Sequence, residues 1–238
     1  MRSWGAFASL ALTAVLFVLY SLLQAAGLAA VSIAEANTGG NPFAGVTNHF
    51  GTMLWAGILI AAPITLAAIY FLVRVRRPQG VLEYLGWVSF RWPGALLGLA
   101  AILATSFTFD ALSRGLDRPP IPAFVEMAMT TAGSLPALIF AIVVVAPLFE
   151  EVLFRGFLFT GLANSAAGTW GAVLITSLLF SVIHLQYDLF DMSSIFILGL
   201  ILGAVRALTD STRLAFLLHA AVNLLAVGQA ALYLWGDA

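Results

Sequence analysis

The chain has 238 residues, is 62% hydrophobic and only 9% charged, and carries a formal net charge of −1; its mean hydropathy is +1.03. A water-soluble domain carries roughly a quarter charged residues, so there is too little polar surface here to cover a soluble globule. The near-zero net charge gives no sign of a nucleic-acid partner, and the absence of cysteine excludes a disulfide framework, a thiolate metal site and a cysteine nucleophile.

Composition and long apolar runs predict an all-α, polytopic transmembrane helical bundle. A bilayer core needs about 20 mostly apolar residues per helix, and such stretches fall at roughly 5–34, 52–73, 93–109, 134–160, 168–187, 193–208 and 212–235. The count is seven spans, or eight with a further span in the first half. The first stretch ends near "SIAEA", which resembles a signal-peptidase site, but its apolar core is longer than that of a cleaved signal and predicts an uncleaved span. Polar or Pro/Gly-rich linkers separate the spans: "EANTGGNPFAG", "RVRRPQG", "LDRPPIP", "QYDLFDM" and "LTDSTR". No internal repeat of the transporter kind is present. Residues 1–133 read as N-terminal transmembrane helices without a motif. Residues 134–238, the last four spans, form the part that carries ionisable groups within spans.

Arginines concentrate on cytoplasmic flanks because they resist translocation. With the N-terminus inside, the inner side collects Arg2, Arg74, Arg76, Arg77, Arg91, Arg155, Arg206 and Arg213, and the outer side keeps Arg114 and Arg118. This predicts a multi-pass protein of the cell membrane with a cytoplasmic N-terminus.

Ionisable groups inside a span cost several kcal/mol each unless paired or hydrated, so they mark function. Span four holds Glu150, Glu151 and Arg155 in "APLFEEVLFRGFLF"; span five ends in "FSVIH", with Phe180 and His184; span seven holds "HAAVN", with His219 and Asn223. Glu151 and Arg155 are four apart and able to pair, whereas Glu150 is turned about 100° away. His219 and Asn223 also share a face. Phe180, one turn from His184, can wall its imidazole, and Pro147 can bend span four toward a cavity. Gly199 and Gly203 form a small-xxx-small pair suited to helix packing.

Depth tests whether these groups can meet. Glu150 lies roughly 20 Å and His184 roughly 25 Å from the turn between spans four and five, while His219 and Asn223 lie roughly 10 to 17 Å from the turn near Ser211. Tilt and loop placement would have to absorb that mismatch. Chemically, a carboxylate and an imidazole around one water make a general base. A His and an Asn one turn apart can donate to a developing oxyanion. Alternatively, Glu150, His184 and His219 could ligate a divalent metal such as zinc with an open fourth position. A proton-coupled transporter using Glu150 and His184 as a relay, and a catalytically silent scaffold or immunity protein, are the competing readings.

The three motifs, EExxxR as "EEVLFRG", FxxxH as "FSVIH" and HxxxN as "HAAVN", resemble in type and order those of the CAAX-processing and bacteriocin-processing intramembrane proteases. These are the CPBP or Abi proteins, also called type II CAAX prenyl endopeptidase-like. The resemblance covers about residues 134 to 225. It implies proteolysis within the bilayer, with Glu150 and His184 activating water, His219 and Asn223 forming the oxyanion hole, and Glu151 and Arg155 supporting the first carboxylate. It implies a peptide or protein substrate, lipid-modified in eukaryotic members, and an active-site cavity open to the cytoplasmic side. Some members of the group serve as immunity or scaffold proteins.

Overall fold

The structure, a computed structural model, describes residues 4–37, 42–77 and 79–236. Arg2 and the linker residues 38–41 lie outside the described residues. Within them the chain is entirely helical. The long elements are α1 (Ala6–Asn37), α2 (Phe50–Arg76), α3 (Trp92–Gly115), α4 (Leu135–Ala163), α5 (Gly168–Val182), α6 (Leu189–Thr209) and α7 (Thr212–Trp235). Short helices Pro42–Asn48, Val81–Tyr84 and Ala123–Thr130 fill three of the connections.

Among the described residues, six helices are long and apolar enough to cross a membrane, which fits a multi-pass membrane protein. The seventh expected span is the exception. α5 has 15 residues, about 22 Å of rise against a hydrocarbon core of about 30 Å. It stops at Val182 rather than running to 187 because a tight turn follows. The His184 N–H reaches Ser181 O, and the Tyr187 N–H reaches His184 O. Asp188 then caps α6, accepting from the backbone N–H of Phe190 and Asp191. The expected loop "QYDLFDM" is therefore loop only in its first half, and α6 starts at Leu189 rather than at 193.

α4 departs most from a regular helix. Its hydrogen-bond ladder slips to π-type spacing over Ala141–Val145 and again over Val152–Leu158, on either side of the segment that carries both glutamates. The Ala146 N–H bonds back five residues to Ala141 O. The next carbonyl in that register, Ile142 O, would look to residue 147, which is proline and has no N–H to give. Asn223 Nδ2 on α7 fills the deficit at 2.8 Å.

The depth mismatch is resolved by where the α6–α7 turn sits. Arg206 is buried and its Nε donates to Arg155 O at 3.1 Å, so the end of α6 is level with the middle of α4. The segment 81–88 tucks in beside it. Thr212 N–H bonds Gly86 O, the Ser211 hydroxyl bonds Val88 O, and the Thr160 hydroxyl bonds Tyr84 O. Gly86 has φ +65°, and a Cβ there would lie 2.7 Å from the Arg206 guanidinium, so glycine is required on both counts. From this raised start, α7 climbs about 10 Å to bring His219 level with Glu151. Arg155 and Arg206 are thus interior groups and carry no topological signal, unlike the exposed Arg74, Arg76, Arg91 and Arg213.

The core lies where α1, α2, α4 and α5 meet, around Phe149, Leu153, Phe154, Phe157, Leu158 and Phe180. α5 and α6 approach closely through glycine: a Cβ on Gly199 would stand 3.1 Å from Ser177 Cα and Cβ, and one on Gly203 would stand 3.0 Å from Val173 Cγ1. Gly199→Val should overpack this seam by about 1–3 kcal/mol and lower the thermal melting midpoint in detergent. Gly228→Val, at a glycine with no atom within 4 Å, should leave the midpoint unchanged.

Candidate active site

Glu151 on α4 is fully buried, as is Arg155 one turn on. Arg155 Nη1 donates to Glu151 Oε1 at 2.7 Å, and Nη2 donates to Gly199 O on α6 at 3.1 Å. The guanidinium carbon also sits 4.4 Å from the centroid of the Phe180 ring, a cation–π contact worth about 2 kcal/mol when desolvated. A buried arginine of this kind needs every one of these partners, since each lost one leaves charge exposed to a low dielectric.

The same Glu151 oxygen receives His219 Nδ1 from α7 at 2.9 Å. A carboxylate oxygen already holding a guanidinium is an acceptor, so Nδ1 carries the proton. His219 Nε2 then faces Glu150 Oε2 at 3.8 Å. The result is a chain of ionisable groups, Arg155, Glu151, His219, Glu150, whose first three members are buried and whose last is partly accessible. Glu151 Oε2 and Arg155 Nε are buried without a hydrogen-bond partner among the described residues.

His184 stands in the turn after α5. Its Nδ1 lies 2.7 Å from Phe180 O, and a carbonyl can only accept, so Nε2 carries the free lone pair. Phe180 is buried between the two imidazoles, meeting His184 edge-on at 4.9 Å and His219 at 5.6 Å between centroids. Both histidines therefore flank one phenylalanine ring. Asn223, half-buried one turn beyond His219, spends one amide N–H on Ile142 O and keeps a second.

Tyr187 was not legible as a site residue. It stacks on His184 at 6.2 Å and packs its edge on Phe124. Burial first, then the charges of Asp191 and Glu150, push its hydroxyl up to about 12. Its position three residues after His184, in a turn, was the only available signal. The same turn is tied down by Arg118, which donates to Asp188, approaches Asp191 at 3.6 Å and lies over the Phe190 ring at 4.3 Å. The Arg118 bond holds the Asp188 carboxyl below the usual carboxylate range. Tyr187 meets Phe124, which packs on Phe50 at the start of α2, whereas Arg74 and Arg76 stand at the end of that helix. A concavity of ≈ 600 Å³ lined by Met129, Ser134, Pro136 and Trp235 lies about 20 Å along α4 from Glu150 and holds none of these groups.

Among the described residues, no three or more His, Cys, Asp or Glu side chains are grouped so as to hold a metal ion. Glu150, His184 and His219 are thus not brought together as a ligand set, and His219 is oriented by Glu151 on one side while Glu150 occupies the other.

Residues 132–225 match the model of a protein family described as type II CAAX prenyl endopeptidase Rce1-like. The chain is also similar to an uncharacterized 24.3 kDa protein of Escherichia coli, at 35% identity over 147 residues, or 60% of this chain. The aligned part spans 64% of that relative's length. No solved structure matches.

The charge chain separates stability from accessibility. Arg155→Met strands a buried carboxylate and should cost about 3–5 kcal/mol, read as loss of folded protein in detergent. Asn223→Leu should cost about 1–3 kcal/mol by orphaning Ile142 O. Glu150→Gln, at the partly accessible end, should lower the melting midpoint less than Arg155→Met does, since it strands no fully buried charge.

Proposed function

We propose that this protein is a glutamate-dependent intramembrane endopeptidase of the CAAX-prenyl-endopeptidase type, which hydrolyses peptide bonds at or within the membrane. The observation that carries the proposal is the contact of Glu150 with His219 at the accessible end of an otherwise buried ion chain. The family match over residues 132–225 supports the same reaction class.

The chemistry follows from charge balance. Two carboxylates face one guanidinium, so the cluster is neutral in low dielectric only if it holds one more proton, shared between Glu150 and His219 Nε2. A water beside Glu150 gives up its proton to that carboxylate, with the lone pair of His184 Nε2 as a second acceptor. Its oxygen forms a bond to the scissile carbonyl carbon, and the carbonyl π pair becomes an oxyanion. The protonated His219 Nε2 and the second amide N–H of Asn223 donate to that oxygen. When the intermediate collapses, the C–N bond breaks and the proton held by Glu150 leaves with the amine. Glu151 fixes the His219 tautomer, and Arg155 fixes Glu151, so neither need touch substrate. Phe180 keeps the two imidazoles apart and dry on one side.

The substrate class is a peptide or protein that reaches the cluster from the bilayer, lipid-modified or not. The protein would sit in the cell membrane with its N-terminus in the cytoplasm.

On a peptide library with detergent-purified protein, Glu150→Gln, His184→Ala and His219→Ala should each slow cleavage at least about 100-fold, the usual contribution of a general base or oxyanion donor. Wild-type cleavage by Glu150→Gln would refute the assignment. Ion flux in liposomes that survives loss of cleavage would favour a proton-coupled transporter.

A further inference from the structure

α1 lies outside the segment that matches the protease family, yet it contributes a polar group beside Glu150. Tyr20 is buried at 9% exposure, and its ring stacks on that of Phe149 with centroids 4.1 Å apart and planes 14° from parallel. Phe149 is the chain neighbour of Glu150, so the stack brings Tyr20 to the segment of α4 that carries the base, and the Tyr20 phenol is within electrostatic reach of Glu150. Gln24, one turn further along α1, is within hydrogen-bonding reach of the same hydroxyl. Gln24 is itself confined, since α2 approaches it so closely at Gly57 that a Cβ there would stand 3.4 Å from the Gln24 side chain. An amide that donates to the phenol oxygen leaves the phenol O–H free to donate elsewhere.

The packing of α1 against α4 makes this placement stable. Leu16 and Tyr20 belong to the same buried cluster as Phe149, Val152 and Leu153. Lower down, a Cβ on Gly161 would collide with Ser9, so the two helices touch along several turns. Among the described residues, Glu150 is surrounded by Glu151 and Arg155 on its own helix, His219 from α7 and Tyr187 from the α5–α6 turn, with His184 in that same turn. None of them comes from the first three helices.

We propose that Tyr20 is a positioning residue for Glu150: its phenol O–H donates to the Glu150 carboxylate, directly or through one water, and holds it toward the reacting bond. This takes Glu150 as the base of the proposed reaction. α1 then completes the site from the N-terminal half.

The test pairs Tyr20→Phe with Tyr20→Leu. Phenylalanine keeps the stack on Phe149 and deletes only the hydroxyl, so Tyr20→Phe should melt like the wild type while Tyr20→Leu melts lower. In Tyr20→Phe, kcat should fall about tenfold with KM unchanged, the size of one lost hydrogen bond to a charged group. A second readout needs no substrate. In carbon-13 glutamate-labelled protein, the infrared carboxyl band that disappears in Glu150→Gln should shift in Tyr20→Phe. If Tyr20→Phe does not purify, ring-fluorinated tyrosine, a stronger donor, should move the same band the opposite way. An unmoved Glu150 band overturns the inference. A moved band in a protein that cleaves no peptide keeps Tyr20 with Glu150 and removes the protease reading instead.

Discussion

One carboxylate organises the protein. Glu151 accepts from Arg155 on its own helix and from His219 on α7 through a single oxygen. The Arg155 guanidinium could not reside in this interior without it, and Arg155 in turn ties Gly199 of α6 and the Phe180 ring of α5. Four helices thus converge on one buried charge. In hydrocarbon there is no hydrophobic drive to hold helices together, so polar contacts and close packing must do it. A carboxylate with a guanidinium and an imidazole has no good alternative partner in lipid, which gives the fold its register.

The remaining polar contacts extend this logic to the backbone. The two π-type stretches of α4 disturb the ladder that normally hides peptide groups from lipid. The lost bonds are made good from neighbouring helices: Asn223 serves Ile142 O, and Arg206 bonds Arg155 O. Such interruptions in a helix mark functional positions, because they re-aim side chains at a cost the surroundings must offset. Here they bracket Glu150 and Glu151.

Much of the site could be read from residue spacing alone. A period of 3.6 placed Glu151 with Arg155 and turned Glu150 away, and the rarity of ionisable groups in apolar runs singled out His184, His219 and Asn223. Other features were hidden for identifiable reasons. The apolar pattern is the same in α and π ladders, so the slips in α4 left no trace beyond Pro147. The bond of Asn223 to Ile142 depends on that slip. The end of α5 was missed because residues 183–187 remain fairly apolar, and a turn made by backbone bonds does not announce itself in hydropathy. The depth mismatch between His184 and His219 was visible, but its resolution lay in the seating of residues 81–88 under the α6–α7 turn, a long-range contact. Tyr20 was invisible because a tyrosine in a span reads as packing until its neighbour is known.

The brevity of α5 reaches beyond the protein itself. At about 22 Å of rise it falls several ångströms short of the surrounding hydrocarbon. Its exposed flank presents Trp170, Leu174, Leu178 and Val182, and a helix shorter than the hydrocarbon is met by local thinning, by snorkelling of flanking residues or by association with its neighbours. The turn that carries His184 therefore ends the helix about 8 Å short of a full crossing.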